Sequence, residues 1–254
     1  MGEKLAFGEA LGCFGGVVGG ETIQLMVVMP VFNEEASVRK VVTEWFPVLD
    51  RVVGSFVLLA IDDGSSDGTP DCLRELKEEL GAKFEWIRRG NRGHGQTCLE
   101  GYRCAMERGI PFVHQIDSDG QCDPVYFEEF WSRREDFEVI YGRRIRADGF
   151  RRVVASGVLR VALQVLAGVS CVDPNVPYRL MQTRACGSAI QAIPRDFFLA
   201  NVALAVVLRR TSGLRHGSVP IRFLPRYGGE PSVPFSKFAV KAVELFRQLR
   251  SLDR

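Results

Sequence analysis

The chain has 254 residues, of which 46% are hydrophobic and 25% are charged. This composition excludes a disordered chain and is sufficient for one large domain with an ample core. The seven cysteines form no CxxC pair, which argues against a disulfide framework or a zinc site and favours a reducing, cytosolic compartment.

Charge is divided unevenly along the chain, although the formal net charge is only +2. Residues 1–135 contain 14 basic and 23 acidic residues, a net charge of −9, whereas residues 136–254 contain 19 and 8, a net charge of +11. A basic second half indicates an anionic partner, although arginine-rich helices can also simply face solvent. The longest apolar stretch, residues 197–208, is shorter than the roughly 20 residues of a transmembrane helix.

Three regions are expected along the chain. Residues 1–24 are apolar and glycine-rich but lack the basic opening of a signal peptide, so we interpret them as a lead-in segment. Residues 25–233 are expected to form one α/β domain. Residues 234–254 have the apolar spacing of an amphipathic helix, which could bind a membrane or pack on the domain.

Strands and helices are predicted to alternate in the first half of the chain. Strands are expected at 25–32, 55–66 (ending in a turn), 83–89 and 111–117. Helices are expected at about 35–49, from the Thr69 N-cap to Gly81, at 94–108 and after Asp123-Pro124. Apolar strands that alternate with helices indicate an α/β fold, with a mostly parallel central sheet flanked by helices.

The second half is predicted to be less regular. A helix is expected at 151–167, then a loop over 171–181, helices near 183–193 and 198–211, and a strand over 217–223. In parallel sheets ligands bind beyond the carboxyl ends of the strands. Three polar clusters follow predicted strands of the first half, so we expect them at one edge: FNEE at 32–35, DDGSSDGT at 62–69 and DSDGQ at 117–121.

Asp117 and Asp119 are two residues apart, so their side chains face the same way if strand geometry continues. With the amide oxygen of Gln121 they form a set of hard oxygen ligands, which suits Mg²⁺ or Mn²⁺. A metal held by few protein ligands usually serves a substrate pyrophosphate. The alternative is a capped turn, a role that we expect for Asp123 at the start of the next helix.

Two other features could contact a nucleotide. Asp62 or Asp63 could accept a hydrogen bond from a ribose hydroxyl or a base N–H, or could close the following turn. The glycine-rich residues 90–97, GNRGHGQT, would let the backbone approach a ligand, and Arg92 or His94 could contact phosphate. A turn followed by a helix start explains this loop about as well.

Four segments together resemble family 2 glycosyltransferases in order and spacing: VVMPVFNEE, IDDGSSDGT, GNRGHGQT and QIDSDGQ. The resemblance covers roughly residues 25–230. It implies the GT-A fold, a nucleotide-diphosphate sugar as donor (UDP- or GDP-linked) and a divalent metal, Mg²⁺ or Mn²⁺. It also implies roles for individual residues: Pro30, Phe32 and Glu34 in the base and ribose pocket, Asp62 or Asp63 on the nucleoside, and Asp117, Asp119 and Gln121 on the metal.

The chain departs from the family in the glycine-rich loop, which often has Lys where this chain has His94. A neutral His would weaken a phosphate contact, so Arg92 is the expected replacement. The second half resembles the polyprenyl-phosphate branch, the dolichol-phosphate mannose synthase type. VDPNVPYRLM resembles its segment ending in Gly-Tyr-Arg, and VPIRFLPRYGGEPSV resembles its Arg-x-x-Gly-x-Ser stretch, with Val233 replacing the usual Lys.

By this resemblance Arg179 and Arg226 would neutralise donor or acceptor phosphate and act in catalysis with Asp119. A structural pairing of Arg179 with Asp173 is the alternative. Transfer to a hydroxyl needs a general base. Many family members have an acidic pair where this chain has Asn201 and Val202, and a phosphate acceptor needs no base.

The missing acid therefore favours an inverting transfer to polyprenyl phosphate by a cytoplasmic enzyme with possible peripheral contact to the membrane. Asp173 or Asp196 could still supply a base. The alternative acceptor is a sugar hydroxyl on a glycan, lipid-linked saccharide or small molecule. Two further alternatives are a nucleotidyltransferase and an inactive nucleotide-binding module; nucleic acid is not an expected partner.

Overall fold

A computed structural model of the chain describes residues 17–18, 21–145, 168–169, 175–194, 197 and 199–228. The strands are β1 Val17–Val18, β2 Glu21–Thr22, β3 Leu25–Val31, β4 Phe56–Asp62, β5 Phe84–Arg88, β6 Phe112–Gln115, β7 Val139–Arg144, β8 Arg179–Gln182 and β9 His216–Ile221. The α-helices are α1 Val38–Val52, α2 Thr69–Leu80, α3 His94–Glu107, α4 Phe127–Ser132, α5 Thr183–Ala192 and α6 Ala200–Arg210. Short 3₁₀ helices span Gly81–Lys83 and Pro124–Tyr126.

The main sheet has seven strands in the order β5-β4-β3-β6-β8-β7-β9. Strand β3 pairs in parallel with β4 and β6, β4 with β5, and β7 with β9. Strand β8 is antiparallel to both of its neighbours, β6 and β7. The predicted mostly parallel sheet is confirmed, with one reversed strand, β8, between β6 and β7.

Strands β3 and β4 form the centre of the core because every one of their residues is buried. Such continuous apolar runs are typical of parallel strands that are covered on both faces. Helix α3 lies close against β3 at Gly101, where an added Cβ would be 2.3 Å from Val28 Cγ1. Only glycine permits this approach, which fixes the position of α3 above the sheet.

The four strands predicted in the first half are confirmed, but two details of the helices differ. Helix α1 begins at Val38, because a turn in which Ser37 N and Val38 N both donate to Glu34 O precedes it. The predicted N-cap role of Thr69 is wrong: the N-cap is Gly68, and Thr69 Oγ1 accepts from Glu34 N at 2.9 Å. Thr69 therefore joins two loops instead of capping its own helix.

Asp123 is confirmed as a cap, since its side chain accepts a hydrogen bond from Val125 N at 2.9 Å. The second half contains two strands that were not predicted. Strand β7 was missed, and β8 overlaps the end of residues 171–181, for which a loop was expected; that expectation is wrong for residues 179–181. A four-residue strand is too short to show periodicity, and β8 exists because it pairs with distant strands on both sides.

The predicted helices at 151–167 and 234–254, and most of the lead-in segment, lie outside the described residues. The division into regions 1–24, 25–233 and 234–254 stays a prediction. Among the helices that the structure describes, none has the length and apolar character needed to cross a membrane.

Candidate active site

Three loops meet at the carboxyl ends of β3, β4 and β6, and we call them the rim: residues 32–37, 63–68 and 116–121. Asn33 N donates to Ser65 Oγ at 2.9 Å, which joins the first two loops. Ser37 Oγ donates to Ser118 O at 3.0 Å, which joins the first and third. The predicted meeting of the polar clusters at one edge of the sheet is therefore observed.

Asp119 is the more buried acid of the predicted metal pair, with 7% of its surface exposed. Its Oδ1 accepts from Gln121 N at 3.0 Å, closing a turn in which Gly120 has φ +82°. Burial raises the pKa of Asp119, and the neighbouring negative charge of Asp117 raises it further. Two carboxylates that repel each other in this way favour a cation beside them.

Each acid of the pair already contacts a basic side chain. His94 Nε2 lies 2.9 Å from Asp117 Oδ1, and Arg226 donates from Nη1 to Asp119 Oδ2 at 3.1 Å. The Asp117 carboxylate favours the protonated form of His94 and contributes to raising its pKa. The position of His94 beside Asp117 makes it a candidate for phosphate contact.

Arg226 also contacts a second acid, Glu34, and donates from Nε to Gly228 O at 2.6 Å. Glu34 Oε2 in turn accepts from Ser37 Oγ. Burial raises the pKa of Glu34, although Ser37 and Arg226 both favour its ionised form. Arg226 therefore connects the loop after β3 with the loop after β6.

Residues 223–228 approach the rim because they pair with residues 119–122, which we call the metal loop after the ligands predicted there. Phe223 forms an antiparallel bridge with Cys122, Leu224 N donates to Gln121 O at 3.0 Å, and Tyr227 N donates to Asp119 O at 3.0 Å. The ring of Tyr227 lies over Gly120, where an added Cβ would be 2.3 Å from Cδ2. Gly120 is thus required both for its positive φ and for this contact.

The acids after β4 have different partners from the metal pair. Asp62 is fully buried; it accepts from Ser65 N at 2.9 Å and lies 3.2 Å from Arg88 Nε. Asp63 accepts from the backbone N–H groups of Arg92 and Gly93, both at 2.8 Å. Asp62 closes its own turn, whereas Asp63 fixes the glycine-rich loop.

The other residues predicted for nucleotide binding differ in accessibility. Pro30 is buried in β3, and its carbonyl accepts from Ser118 Oγ at 2.9 Å. Phe32 is 37% exposed at the rim, which leaves its ring available to a planar base. Arg92 is exposed and attached to the rim through its backbone.

Arg179 does not lie on the exposed rim. It is fully buried in β8, and its guanidinium carbon lies 5.2 Å from the centre of the Tyr141 ring. Asn201, where many relatives are expected to have an acid, is buried and lies 3.8 Å from Cys98 Sγ. Asp173 and Asp196, the other candidates for a base, are outside the described residues.

Asp117, Asp119 and Gln121 offer the oxygen donors that Mg²⁺ and Mn²⁺ prefer. Within the part of the chain that the structure describes, no group of three His, Cys, Asp or Glu side chains is arranged to hold a metal. The donor set therefore fits a cation whose remaining ligands come from water and a phosphate. Sequence reasoning missed the contact of Arg226 with Glu34, because the two residues are 192 positions apart.

The family model of Glycosyl transferase family 2 matches residues 26–162, more than half of the chain. Undecaprenyl-phosphate 4-deoxy-4-formamido-L-arabinose transferase of Aeromonas hydrophila is 27% identical over 195 residues, which cover 75% of this chain and 58% of the relative. The uncharacterized glycosyltransferase YkcC of Bacillus subtilis is 26% identical over 199 residues, with 75% and 59% covered. The chain thus spans less than two thirds of these relatives.

Solved structures share the fold. Glucosyl-3-phosphoglycerate synthase of Mycobacterium tuberculosis superposes with a TM-score of 0.64 at 19% identity, covering 91% of this chain and 80% of that chain. Its complex with Mn²⁺, UDP-glucose and phosphoglyceric acid gives a TM-score of 0.61 at 18% identity, covering 91% and 79%. The expected GT-A fold is confirmed. Because the family model covers the strands and loops that build the rim, the chain belongs to glycosyl transferase family 2.

Proposed function

We propose that this protein transfers a sugar from a nucleotide-diphosphate sugar to a polyprenyl phosphate in a metal-dependent reaction that inverts the anomeric centre. The observation that carries the proposal is the pair Asp117 and Asp119, held at the rim with a basic side chain, His94 or Arg226, on each carboxylate. The names of two relatives support the acceptor class, since they are undecaprenyl-phosphate sugar transferases.

Asp117, Asp119 and Gln121 would hold Mg²⁺ or Mn²⁺. When bound, the metal would supply positive charge for the leaving diphosphate. The complex of the M. tuberculosis structure with Mn²⁺ and UDP-glucose supports this assignment. His94 and Arg226 contact the two metal-binding acids, so both lie within reach of a diphosphate bound there and could stabilise its charge.

The nucleoside would occupy the space beside the loops after β3 and β4. Phe32 offers an exposed ring for the base. Asp62 is fully buried and its Oδ2 lies 3.2 Å from Arg88 Nε, so it would contact the nucleoside only if Arg88 moved. Asp63 has both oxygens bonded to the glycine-rich loop, so its contribution to nucleotide binding would be to position that loop. Arg179 would need its surroundings to move before it could contact a phosphate.

The choice of acceptor depends on whether a general base is present, and this chain has Asn201 where many family members are expected to have an acid. An oxygen of an ionised phosphate would attack the anomeric carbon, the bond from that carbon to the donor diphosphate would break, and the nucleoside diphosphate would leave. No proton has to be removed from such an acceptor. Asn201 cannot act as a base, which favours this acceptor over a sugar hydroxyl. A hydroxyl acceptor remains the second candidate if a carboxylate outside the described residues approaches the rim.

A basic surface beside the rim could meet the membrane that contains the lipid. Arg143 pairs in register with Pro220, and Ile145 N donates to Ile221 O, so alternation places Arg143, Ile145 and Arg222 on one exposed face. Ile145 is 47% exposed, and neither arginine makes an ion pair or side-chain hydrogen bond with the described residues. We propose that this face, the Arg143–Arg222 face, contacts anionic lipid.

Thermal shifts with UDP, GDP and dTDP, each with and without Mn²⁺, would identify the nucleotide. Donor turnover would then be measured with short polyprenyl phosphates and with soluble sugar acceptors. We expect one nucleotide to stabilise the protein only with Mn²⁺, and the matching donor to be consumed only with the lipid phosphate. Consumption with the sugar acceptors alone, with a bell-shaped pH profile, would instead support the hydroxyl acceptor.

A further inference from the structure

Arg226 occupies one of the positions at which a cation could bind Asp119, because its Nη1 lies 3.1 Å from Asp119 Oδ2. Asp119 Oδ1 is bonded to Gln121 N, and Oδ2 is bonded to Arg226, so both oxygens of this acid have partners. The other terminal nitrogen of Arg226 contacts the Glu34 carboxylate. We call this arrangement of Glu34, Arg226 and Asp119 the ion triad.

The ion triad is largely shielded from water. The exposed fractions of the side chains are 23% for Arg226, 7% for Glu34 and 10% for Asp119. Solvent screens ion pairs less at such sites than at the surface. A metal that approaches Asp119 Oδ2 from the side of Arg226 would therefore displace a guanidinium that is held by two acids, and the displaced guanidinium would need another anion.

The segment that carries Arg226 is also anchored independently of the triad. Tyr227 OH donates to Glu44 at 2.7 Å, and Lys40 lies 3.7 Å from the centre of the Tyr227 ring. Together with the backbone bonds to Asp119 and Gln121, these contacts keep the segment beside the metal loop. Arg226 can therefore exchange partners by rotating its own side chain while the backbone stays in place.

We propose that the ion triad closes the metal site in the free protein, and that a nucleotide diphosphate opens it. The diphosphate offers Arg226 new anionic oxygens, so that Asp119 becomes available to the metal while Arg226 stays paired. Metal and nucleotide then bind as a unit, and the metal alone binds weakly. This inference rests on the proposed function, because it takes Asp119 as a metal ligand.

The proposal predicts opposite effects of one substitution on two binding equilibria. Arg226→Gln removes the competing cation, so the free protein should bind Mn²⁺ more tightly. The same change removes a diphosphate contact, so the gain in Mn²⁺ affinity on adding nucleotide should decrease. Coupling is reciprocal, so the gain in nucleotide affinity on adding Mn²⁺ should decrease by the same factor. If Arg226 had a merely structural role, its replacement by Gln would not increase the affinity of the free protein for Mn²⁺.

The experiment measures Mn²⁺ binding to the full chain by the electron paramagnetic resonance signal of free Mn²⁺, alone and with saturating UDP or GDP. For the wild type we expect the better nucleotide to increase Mn²⁺ affinity at least tenfold. For Arg226→Gln we expect at least threefold tighter Mn²⁺ binding without nucleotide and a clearly smaller nucleotide effect. Arg226→Lys, which keeps the charge but cannot bridge both acids equally, should fall between the two.

Arg184→Gln is the matched control, because it removes an exposed arginine from α5 and should change neither equilibrium. Asp119→Asn tests the metal site itself. If Asp119→Asn leaves Mn²⁺ binding unchanged, the metal assignment is wrong. If Asp119→Asn abolishes Mn²⁺ binding but both Arg226 variants bind free Mn²⁺ no better than the wild type, the ion triad does not close the site. Arg226→Lys keeps the test possible if Arg226→Gln does not fold.

Discussion

The two acidic pairs at the rim, Asp62–Asp63 and Asp117–Asp119, differ in how many backbone groups hold them. Asp62 and Asp63 accept hydrogen bonds from the backbone N–H groups of Ser65, Arg92 and Gly93, and each also lies beside an arginine. Asp119 accepts one such bond, from Gln121 N, and its other oxygen contacts Arg226, while Asp117 contacts His94. Backbone groups cannot leave without rearranging the loop, whereas side chains can rotate away. We therefore infer that the first pair builds the loops and that the second pair can exchange its side-chain partners for a ligand.

The largest effect should come from Asp119→Asn. An amide oxygen can still accept the hydrogen bond from Gln121 N, so the variant should fold, with a lower melting temperature because Arg226 loses one of its two carboxylates. Turnover should fall at least about 1000-fold, equivalent to about 4 kcal/mol in the activation barrier, because the metal loses a charged ligand.

Steady-state turnover with saturating donor measures this loss, and Asp123→Asn is its control. Asp123 lies in the same loop but caps the following helix, a role that asparagine also fills. An Asp119→Asn variant as active as Asp123→Asn would show that Asp117 and Asp119 do not differ in role from Asp62 and Asp63.

Asp63→Ala should reduce stability, since it leaves the N–H groups of Arg92 and Gly93 without their acceptor and Arg89 without one of its carboxylates. We expect a loss of about 2–4 kcal/mol in the free energy of unfolding. Urea denaturation followed by circular dichroism measures it. A variant that keeps full stability but loses nucleotide binding would mean that Asp63 contacts the nucleoside directly and does not serve to hold the glycine-rich loop.

His114 is a polar side chain in the core whose pKa is changed by burial. It is fully buried, its ring centroid lies 4.9 Å from that of Tyr178 and 5.1 Å from that of Phe127, and burial lowers its pKa to about 3. The unfolded chain has the ordinary value near 6.5 and binds the proton first. Stability contributed by neutral His114 is therefore complete above about pH 6.5 and is lost as the pH falls toward 3.

Between pH 6.5 and 3 the free energy of unfolding should decrease by about 1.4 kcal/mol for each pH unit because of His114. Denaturation midpoints of wild type and His114→Leu between pH 7 and 4.5 measure it. The variant should show a smaller slope, and His216→Gln, at a half-buried position, should change the slope less. Equal slopes in wild type and His114→Leu would mean that His114 is not the group responsible.

Arg226→Ala should reduce turnover at least tenfold, about 1.4 kcal/mol, because the diphosphate loses a guanidinium.

The double variant Arg143→Gln/Arg222→Gln should have the smallest effect. It should weaken binding to vesicles rich in phosphatidylglycerol by about 1 kcal/mol of binding free energy for each arginine, and leave binding to neutral vesicles unchanged. Co-sedimentation of the protein with the vesicles measures this binding. Unchanged sedimentation would exclude the Arg143–Arg222 face as the membrane contact.

The sequence was sufficient to predict the β3-β4-β5-β6 half of the sheet and the meeting of its loops. Each of those strands is an apolar run followed by a turn, and parallel strands bring their carboxyl ends together without further information. The caps at Asp123 and Gly81 were likewise local features. The pairing of Asp117 with Asp119 was predicted from the two-residue period of a strand, but β6 ends at Gln115 and Ser118 and Asp119 lie in a turn, so strand geometry does not continue to them.

The remaining features depend on contacts between distant residues. Strand β8 is defined by its pairing with β6 and β7, and its four residues carry no period of their own. Burial of Arg179 and the contact of His94 with Asp117 follow from neighbours that only the fold supplies. The ion triad joins Glu34, Asp119 and Arg226 across most of the chain, so no local pattern could have predicted it.

The central claim is that a polyprenyl phosphate receives the sugar, and ³¹P nuclear magnetic resonance of a turnover mixture tests it most directly. With the donor identified by thermal shift, Mn²⁺ for turnover and a chelator quench before recording, the claim predicts that the lipid phosphomonoester signal decreases as a phosphodiester signal and a free nucleoside diphosphate signal increase equally. An unchanged phosphomonoester signal during release of nucleoside diphosphate would contradict the claim.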